Sequence, residues 1–207
     1  MSANIYVDAF NLYYGALRGT AFKWLDLRSL SEKLVPKHPV KRIRYFTARV
    51  QSRADDPQIA QRQQTYLRAL ETLPGLTVHY GRFLSNVTRL PLANPPAGGP
   101  RTVEVLRTEE KGSDVNLATQ LLLDAFDRDF DLSLIISNDS DLVGPISVVR
   151  ERFGLPVGVV NPHPNTSHAL RQTASFYRPL RKGVLASSLL PDSLTDHQGQ
   201  ITKPERW

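Results

Sequence analysis

The chain has 207 residues, a formal net charge of +6 and a pI of about 9.7, and it contains no cysteine. Its length suits one domain plus a tail, and the lack of cysteine excludes a disulfide framework and any cysteine-ligated zinc or iron–sulfur site. No apolar stretch approaches the ~20 residues that cross a bilayer, and the first residues do not resemble a signal peptide. We therefore expect a cytoplasmic protein.

The first half of the chain predicts alternating strands and helices. Short apolar runs indicate strands, while apolar side chains at mixed three- and four-residue spacings indicate helices. We predict strands at residues 3–8, 41–48 and 76–83 and helices at residues 26–35 and 56–73.

The middle of the chain carries an insert. Residues 91–100 are rich in proline and glycine and cannot continue a regular element. We predict a loop or flap at about 84–107 with this segment at its tip. A helix then follows, with an apolar face from Val115 to Phe126 and a cap formed by Ser113 or Asp114.

The last part of the chain predicts a second series of strands and helices. A strongly apolar run at 132–136 indicates a strand, and it is followed by a helix at about 142–153 and a strand at 156–160. We expect a short helix at 169–180, so that residues 1–185 form the domain. Residues 186–207 are polar and predict a flexible tail.

Three aspartates follow strands or begin a helix. Asp8 and Asp139 come at the ends of buried apolar runs, and Asp114 lies at the start of the predicted helix. Continuous apolar runs suit strands of a parallel sheet that is covered by helices, and ligands bind outside the carboxyl ends of such strands. The three carboxylates can converge if the strands lie side by side, which would create a metal-binding cluster.

Three short motifs carry a resemblance to a known family. They are Val7-Asp8-Ala9-Phe10-Asn11, Lys111-Gly112-Ser113-Asp114-Val115 and Ile136-Ser137-Asn138-Asp139-Ser140-Asp141. As a set and in this order, over about residues 3–180, they resemble the NYN domain, the branch of the PIN-like nuclease superfamily that includes the LabA-like proteins. Many members carry glycine at the position of Asn138 and an aliphatic residue at that of Ser113.

The resemblance implies a doubly wound α/β fold, with a mostly parallel sheet and helices on both faces, and a metal-dependent ribonuclease. It also implies that Asp8, Asp114 and Asp139 form the acidic core, with Asp141 as an additional carboxylate. Endonucleolytic cleavage is the favoured mode. The residues do not distinguish it from exonucleolytic cleavage, nor RNA from DNA.

The chemistry can also be derived from the residues. Oxygen ligands without cysteine suit Mg²⁺ or Mn²⁺, so we predict Asp8 and Asp139 as direct ligands, with Asp114 and Asp141 binding directly or through water. A bound ion would polarise the scissile phosphate and activate a water. Asn11, Ser137 and Ser140 are expected to orient ligands or contact the substrate.

The basic charge favours RNA as the partner, since cations that neutralise phosphates release counterions. For phosphate contacts we favour Lys111 and Arg49. Other candidate cations are Lys41, Arg42, Arg44, Arg53, Arg62 and Arg68. Aromatic residues that could stack on unpaired bases are Tyr13, Tyr14, Phe22 and Trp24.

Each site residue also has a plainer interpretation. Asp8 and Asp114 could be simple caps, and Asp139 with Asp141 could form an Asx-turn. A denser acidic group is interpreted as a solvated face; it comprises Asp124, Asp127, Asp129 and Asp131. The five histidines show no metal-ligand spacing.

Two other functions stay open. A non-catalytic RNA-binding or scaffold protein would keep the fold and the charge without metal dependence. A small-molecule phosphohydrolase also uses an aspartate at a strand end, but it commonly needs a second aspartate two residues later, where this chain has Phe10. The sequence is compatible with a homo-oligomer and indicates neither a membrane nor an antitoxin partner.

Overall fold

The computed structural model describes residues 1–52, 54–205 and 207. Six strands form a wholly parallel sheet in the order β3-β2-β1-β6-β7-β8. This confirms the predicted α/β fold. The strands of this sheet are β1 (Ala3–Asp8), β2 (Val40–Thr47), β3 (Leu76–Tyr80), β6 (Leu132–Ile136), β7 (Val157–Asn161) and β8 (Phe176–Pro179).

Helices cover both faces of the sheet. They are α1 (Ala9–Leu12), which continues as a π-helical turn at Tyr13–Leu17, α2 (Leu27–Leu34), α3 (Ile59–Glu71), α4 (Ser113–Phe126), α5 (Val143–Phe153), α6 (His168–Thr173) and α7 (Lys182–Ala186). A 3₁₀ turn at Ser140–Leu142 precedes α5. Among the described residues, no helix has the length and apolarity needed to cross a membrane.

Two apolar cores lie on opposite faces of the sheet, because successive side chains of a strand point to opposite sides. Ile5 of β1 packs in a core with residues of α2 and α3. Tyr6, its neighbour, packs in the other core with residues of α4 and α5. All residues of β1, β6 and β7 are buried, which explains why their sequences are continuous apolar runs.

The strand order reverses between β1 and β6. The chain builds β1, β2 and β3 outward on one side and then returns to place β6, β7 and β8 on the other. The carboxyl ends of β1 and β6 therefore flank the switch point of the sheet, the place where α/β proteins bind ligands. We call this side of the sheet the carboxyl edge and the opposite side the amino edge.

The predicted flap is a two-stranded antiparallel ribbon formed by β4 (Arg82–Pro91) and β5 (Thr102–Lys111). It begins earlier than expected, because the predicted strand at 76–83 breaks at Gly81. A Cβ at Gly81 would lie 2.2 Å from Oε1 of Glu110 and 2.8 Å from the Lys111 carbonyl oxygen. The two strands of the ribbon can approach this closely at its base only because residue 81 has no side chain.

The end of the chain differs from its prediction. The helix expected at 169–180 ends at Thr173, and the following residues form β8.

Residues 186–207, expected to be a flexible tail, contain an antiparallel hairpin of β9 (Ser193–Asp196) and β10 (Gly199–Thr202). Ile201 is 1% exposed, and the Trp207 ring lies 5.2 Å from that of Tyr66. Isolated apolar side chains in a polar segment gave no periodic signal of this packing.

Candidate metal centre

Asp8 is the last residue of β1 and the N-cap of α1. The capping role that the sequence offered as an alternative for Asp8 is therefore present together with the cluster. Its Oδ1 accepts a hydrogen bond of 3.0 Å from the Asn11 backbone N–H. Its Oδ2 accepts one of 2.9 Å from the Ser137 hydroxyl. The residue is only 4% exposed, so both carboxylate oxygens are held in fixed positions at the carboxyl edge.

Asp139 follows β6 and begins the 3₁₀ turn. Its backbone N–H donates to the Ser137 hydroxyl oxygen over 3.1 Å, and its Oδ1 accepts from the Asp141 N–H over 3.0 Å. The second bond is the Asx-turn that the sequence suggested. The turn and the cluster are therefore compatible, because the turn occupies one carboxylate oxygen.

Asp114 lies in the first turn of α4. The prediction that Ser113 or Asp114 caps this helix is wrong, because the N-cap is Gly112, with φ of 99°. The side chain of Glu110 supplies the cap instead. Its Oε1 accepts from the Ser113 N–H over 3.1 Å, and its Oε2 accepts from the Ser113 hydroxyl over 2.6 Å.

The three carboxylates converge. Asp8, Asp114 and Asp139 each offer an oxygen, and these atoms all lie within 4.8 Å of one another; among the described residues this is the one such group of acids, histidines or cysteines. Three oxygen donors at this spacing fit a hard divalent cation such as Mg²⁺ or Mn²⁺. Asp141 lies outside the group.

The electrostatics of the group match a cation site. Burial raises the pKa of Asp8 to about 6, the charges of Asp114 and Asp139 add to this effect, and the bonds from Asn11 and Ser137 oppose it. Burial also raises the pKa of Asp114, as do the charges of Asp139, Glu110 and Asp141. A divalent cation would offset this repulsion.

The predicted substrate-contacting polar residues divide into two kinds. Ser137 is fully buried and bonds to Asp8, so it holds a carboxylate and does not reach a substrate. Asn11 accepts a hydrogen bond of 2.9 Å from the Asn138 N–H, which joins the segments after β1 and β6. Ser140 is exposed beside Asp139.

The two favoured phosphate-binding cations are both exposed at this side of the sheet. Lys111 ends β5 and pairs with Glu109 over 3.1 Å. Arg49 lies two residues beyond β2, and its guanidinium lies over the Tyr80 ring, 5.0 Å from the ring centre.

Other candidate cations pair with acidic residues outside the carboxylate cluster. Lys41 and Arg42 lie at the amino edge, where both pair with Asp129. Arg62 and Arg68 pair with Asp56 and Asp196, respectively. Arg53 is outside the described residues.

The denser acidic group is not a uniformly solvated face. Asp124 is 4% exposed, accepts two bonds of 2.7 Å from Arg44 and one of 2.6 Å from the Tyr6 hydroxyl. It points into the sheet because Arg44 and Tyr6 lie on the strands below α4. The Arg44–Asp124 ion pair has a structural role and lies far from the carboxyl edge.

Of the four aromatic residues proposed to stack on bases, only Tyr14 is largely exposed, at 54%. Trp24 is fully buried. Tyr13 and Phe22 pack partly against the same core.

Asn138 has a structural role that its sequence context did not predict. Its side-chain oxygen accepts from the Ser167 N–H over 3.0 Å and from the Tyr177 hydroxyl over 2.7 Å, and its amide donates to the Asn165 carbonyl over 3.1 Å. It ties the segment before Asp139 to the loop after β7. Its difference from the usual glycine was the only signal.

The parallel sheet with a carboxylate cluster at its switch point places this chain among the α/β proteins with a candidate metal centre. The NYN domain family profile matches residues 2–181, and the chain belongs to this family. It is 32% identical to 6-hydroxy-3-succinoylpyridine 3-monooxygenase HspA of Pseudomonas putida (strain DSM 28022 / S16), over all of this chain and 75% of that protein.

A solved structure has a similar fold. The protein of unknown function VPA0982 from Vibrio parahaemolyticus RIMD 2210633 superposes with a TM-score of 0.54 at 20% identity, covering 91% of this chain and 96% of that one.

Proposed function

We propose that this protein is a ribonuclease that hydrolyses RNA phosphodiester bonds with the help of Mg²⁺ or Mn²⁺. The observation that carries the proposal is the convergence of Asp8, Asp114 and Asp139 within 4.8 Å at the switch point of an NYN domain. The three carboxylates would hold the metal, and Asp141 would add negative charge beside it.

Asp8, Asp114 and Asp139 would hold the divalent ion, which would supply charge neutralisation at a phosphate and a lowered pKa for a bound water. The protein's own contribution is to hold the ligands. The Ser137 hydroxyl and the Asn11 N–H fix Asp8, and the Glu110 cap fixes the turn of α4 that carries Asp114. Lys111 and Arg49 would hold phosphates beside the metal, both on the β2–β3 side of the carboxylates.

The test is cleavage of end-labelled single-stranded and structured RNA in Mg²⁺, in Mn²⁺ and in EDTA. Asp8→Asn and Asp139→Asn should fold and cut poorly, because each replaces an anionic ligand with a neutral amide. Asp127→Asn is the matched control, since Asp127 is exposed at the C-cap of α4. Equal cutting by the wild type and all three variants would sink the proposal.

An RNA-binding protein without activity remains the first alternative. It would bind RNA equally well in EDTA and cut in neither condition. A small-molecule phosphohydrolase would hydrolyse a generic phosphate ester faster than RNA. The second aspartate that such phosphohydrolases usually carry is absent, because Phe10 occupies its position. The Phe10 ring packs against that of Phe83, with 5.7 Å between the ring centres.

The name of the Pseudomonas relative raises a further candidate, hydroxylation of 6-hydroxy-3-succinoylpyridine. The donor set favours the nuclease. Non-haem iron oxygenases use two histidines and one carboxylate, whereas the metal-competent group of the described residues contains three aspartates and no histidine. Incubation with that pyridine, oxygen and a reduced nicotinamide tests this alternative; product formation that survives Asp8→Asn would favour it.

A further inference from the structure

The cations on the strands themselves are paired at the amino edge of the sheet, whereas several cations at the carboxyl edge are not. At the amino edge, Lys41 and Arg42 pair with Asp129, and Arg44 pairs with Asp124. These positive charges are neutralised within the protein. They therefore contribute little attraction for a polyanion at that edge.

At the carboxyl edge, five exposed cations form no ion pair within the described part of the chain, whereas Lys111 pairs with Glu109. Two follow the ends of β2 and β3, and three lie at the end of β8 and the start of α7. They are Arg49, Arg82, Arg178, Arg181 and Lys182.

These cations flank the carboxylates on both sides. The strand order places β2 and β3 on one side of Asp8 and Asp139, and β7 and β8 on the other. Neighbouring strands lie about 4.8 Å apart, so six strands span about 24 Å. This is enough for about four nucleotides, the lower end of the site sizes of single-strand grooves.

We propose that a single strand of RNA lies across the carboxyl edge, along the line of strand ends. Arg49 and Arg82 hold its phosphates at one end, and Arg178, Arg181 and Lys182 hold them at the other. The carboxylates between the two groups then meet the phosphate to be cut. The inference rests on the proposed ribonuclease function and extends it by assigning the path of the substrate.

Aromatic rings at both ends favour a single strand over a duplex. The Arg49 guanidinium lies over Tyr80, which is 39% exposed. The Arg178 guanidinium lies 4.8 Å from the centre of the Phe176 ring. Unpaired bases stack on aromatic rings and on arginine planes, whereas the bases of a duplex are already stacked on one another.

The test compares two double variants that remove the same charge. Arg181→Ala/Lys182→Ala acts at the carboxyl edge. Lys37→Ala/Arg152→Ala is the control, because both residues are exposed and lie before β2 and β7, at the amino edge. Binding of a labelled 12-nucleotide single-stranded RNA is measured by fluorescence anisotropy in EDTA, over a series of salt concentrations.

The carboxyl-edge variant should bind about 20-fold more weakly at 0.1 M salt, and its slope of log affinity against log salt should fall by about 1.4, as two lost phosphate contacts require. The control should retain wild-type affinity. If substitutions in α7 unfold the protein, the double variant Arg49→Ala/Arg82→Ala gives an independent measurement, because both residues lie at the other end of the proposed RNA path.

Equal weakening of RNA binding in all variants would show that only net charge matters, and no weakening would show that RNA binds elsewhere. Either result overturns the proposed RNA path, as does tighter binding of a duplex than of a single strand.

Cleavage in Mg²⁺ separates this inference from the proposed function. If the wild type cuts RNA but all variants bind RNA as tightly as it does, the ribonuclease activity is supported and the proposed RNA path is rejected. If only the carboxyl-edge variants lose affinity and the wild type never cuts RNA, the proposed RNA path is supported and the ribonuclease activity is rejected.

Discussion

The hydroxyl of Ser137, one residue beyond β6, donates a hydrogen bond of 2.9 Å to Oδ2 of Asp8, the last residue of β1. The same hydroxyl oxygen accepts from the Asp139 N–H over 3.1 Å. One buried side chain therefore links two of the three proposed metal ligands, from the two strands that meet at the switch point. A serine in this place fixes the spacing of the carboxylates.

Ser137→Ala should weaken metal binding without unfolding the protein. The change removes a donor from a buried carboxylate, and groups that orient metal ligands typically contribute 10- to 100-fold to affinity. We expect Mn²⁺ affinity, measured by calorimetry at pH 7.5, to fall about tenfold. Ser140→Ala is the control, since that hydroxyl is exposed. Unchanged affinity in both variants would contradict a positioning role for Ser137.

The stability of the metal-free protein should depend on pH through Asp8. The folded-state pKa of about 6 lies above the ordinary value of 3.8, so the folded protein holds this proton more tightly than the unfolded chain. The resulting stabilisation is complete below about pH 3.8 and is lost as the pH rises through 6. At about 1.4 kcal/mol per pH unit, the loss is about 3 kcal/mol.

Asp8→Asn removes this dependence. In EDTA at pH 7.5, the variant should be more stable than the wild type by up to about 3 kcal/mol, and the difference should shrink at pH 5. Urea unfolding at the two pH values measures it. Asp127→Asn should change the free energy of unfolding by the same small amount at both. A variant that is less stable than the wild type at pH 7.5 would refute the burial argument.

Much of the centre could be predicted because its residues occupy recognisable local positions. Asp8 and Asp139 end strands that are buried on both faces, and the parallel order of those strands brings their ends together. The position of Asp114 was predicted, but its cap was not, because Glu110 reaches α4 from the ribbon. Ser137 was expected near the carboxylates, whereas its burial depends on the neighbouring strands.

Other features depend on contacts between distant segments. Asp124 looked like one acid of a solvated face because helical periodicity alone cannot show that Arg44 and Tyr6 lie beneath it. Trp207 packs on Tyr66, a residue far from it in sequence. Neither pair leaves a local pattern, and so the sequence predicted a surface in one case and a flexible tail in the other.

Divalent metal should stabilise the protein against heat. An ion that binds only the folded state adds about 2.7 kcal/mol at a concentration 100 times its dissociation constant. For a domain of this size that corresponds to a rise in Tm of about 5–10 °C. Melting curves with MnCl₂, and with MnCl₂ followed by excess EDTA, measure it. The rise should disappear in Asp114→Asn and persist in Asp127→Asn; a rise that persists in both would place the ion elsewhere.

Arg44→Ala should unfold the protein more easily without affecting the metal centre. The change leaves the buried Asp124 carboxylate without its cation, and breaking a buried pair typically costs about 3–5 kcal/mol. Lys41→Ala is the control, since the Lys41 side chain is 44% exposed and Asp129 keeps its contact with Arg42. Urea unfolding and Mn²⁺ calorimetry measure the two effects. A loss of Mn²⁺ affinity in folded Arg44→Ala would show that the pair serves the site.

Gly81→Ala should disturb the metal centre through the base of the ribbon. The added Cβ would lie 2.2 Å from Oε1 of Glu110, so Glu110 must move away from Ser113 and leave the first turn of α4, which carries Asp114, without its cap. Loss of a cap costs about 1 kcal/mol, and we expect Mn²⁺ affinity to fall at least fivefold. Gly144→Ala is the matched control, because nothing lies within 4 Å of its added Cβ and alanine favours the helix by up to about 1 kcal/mol. If Gly81→Ala binds Mn²⁺ as tightly as Gly144→Ala, the ribbon does not position Asp114.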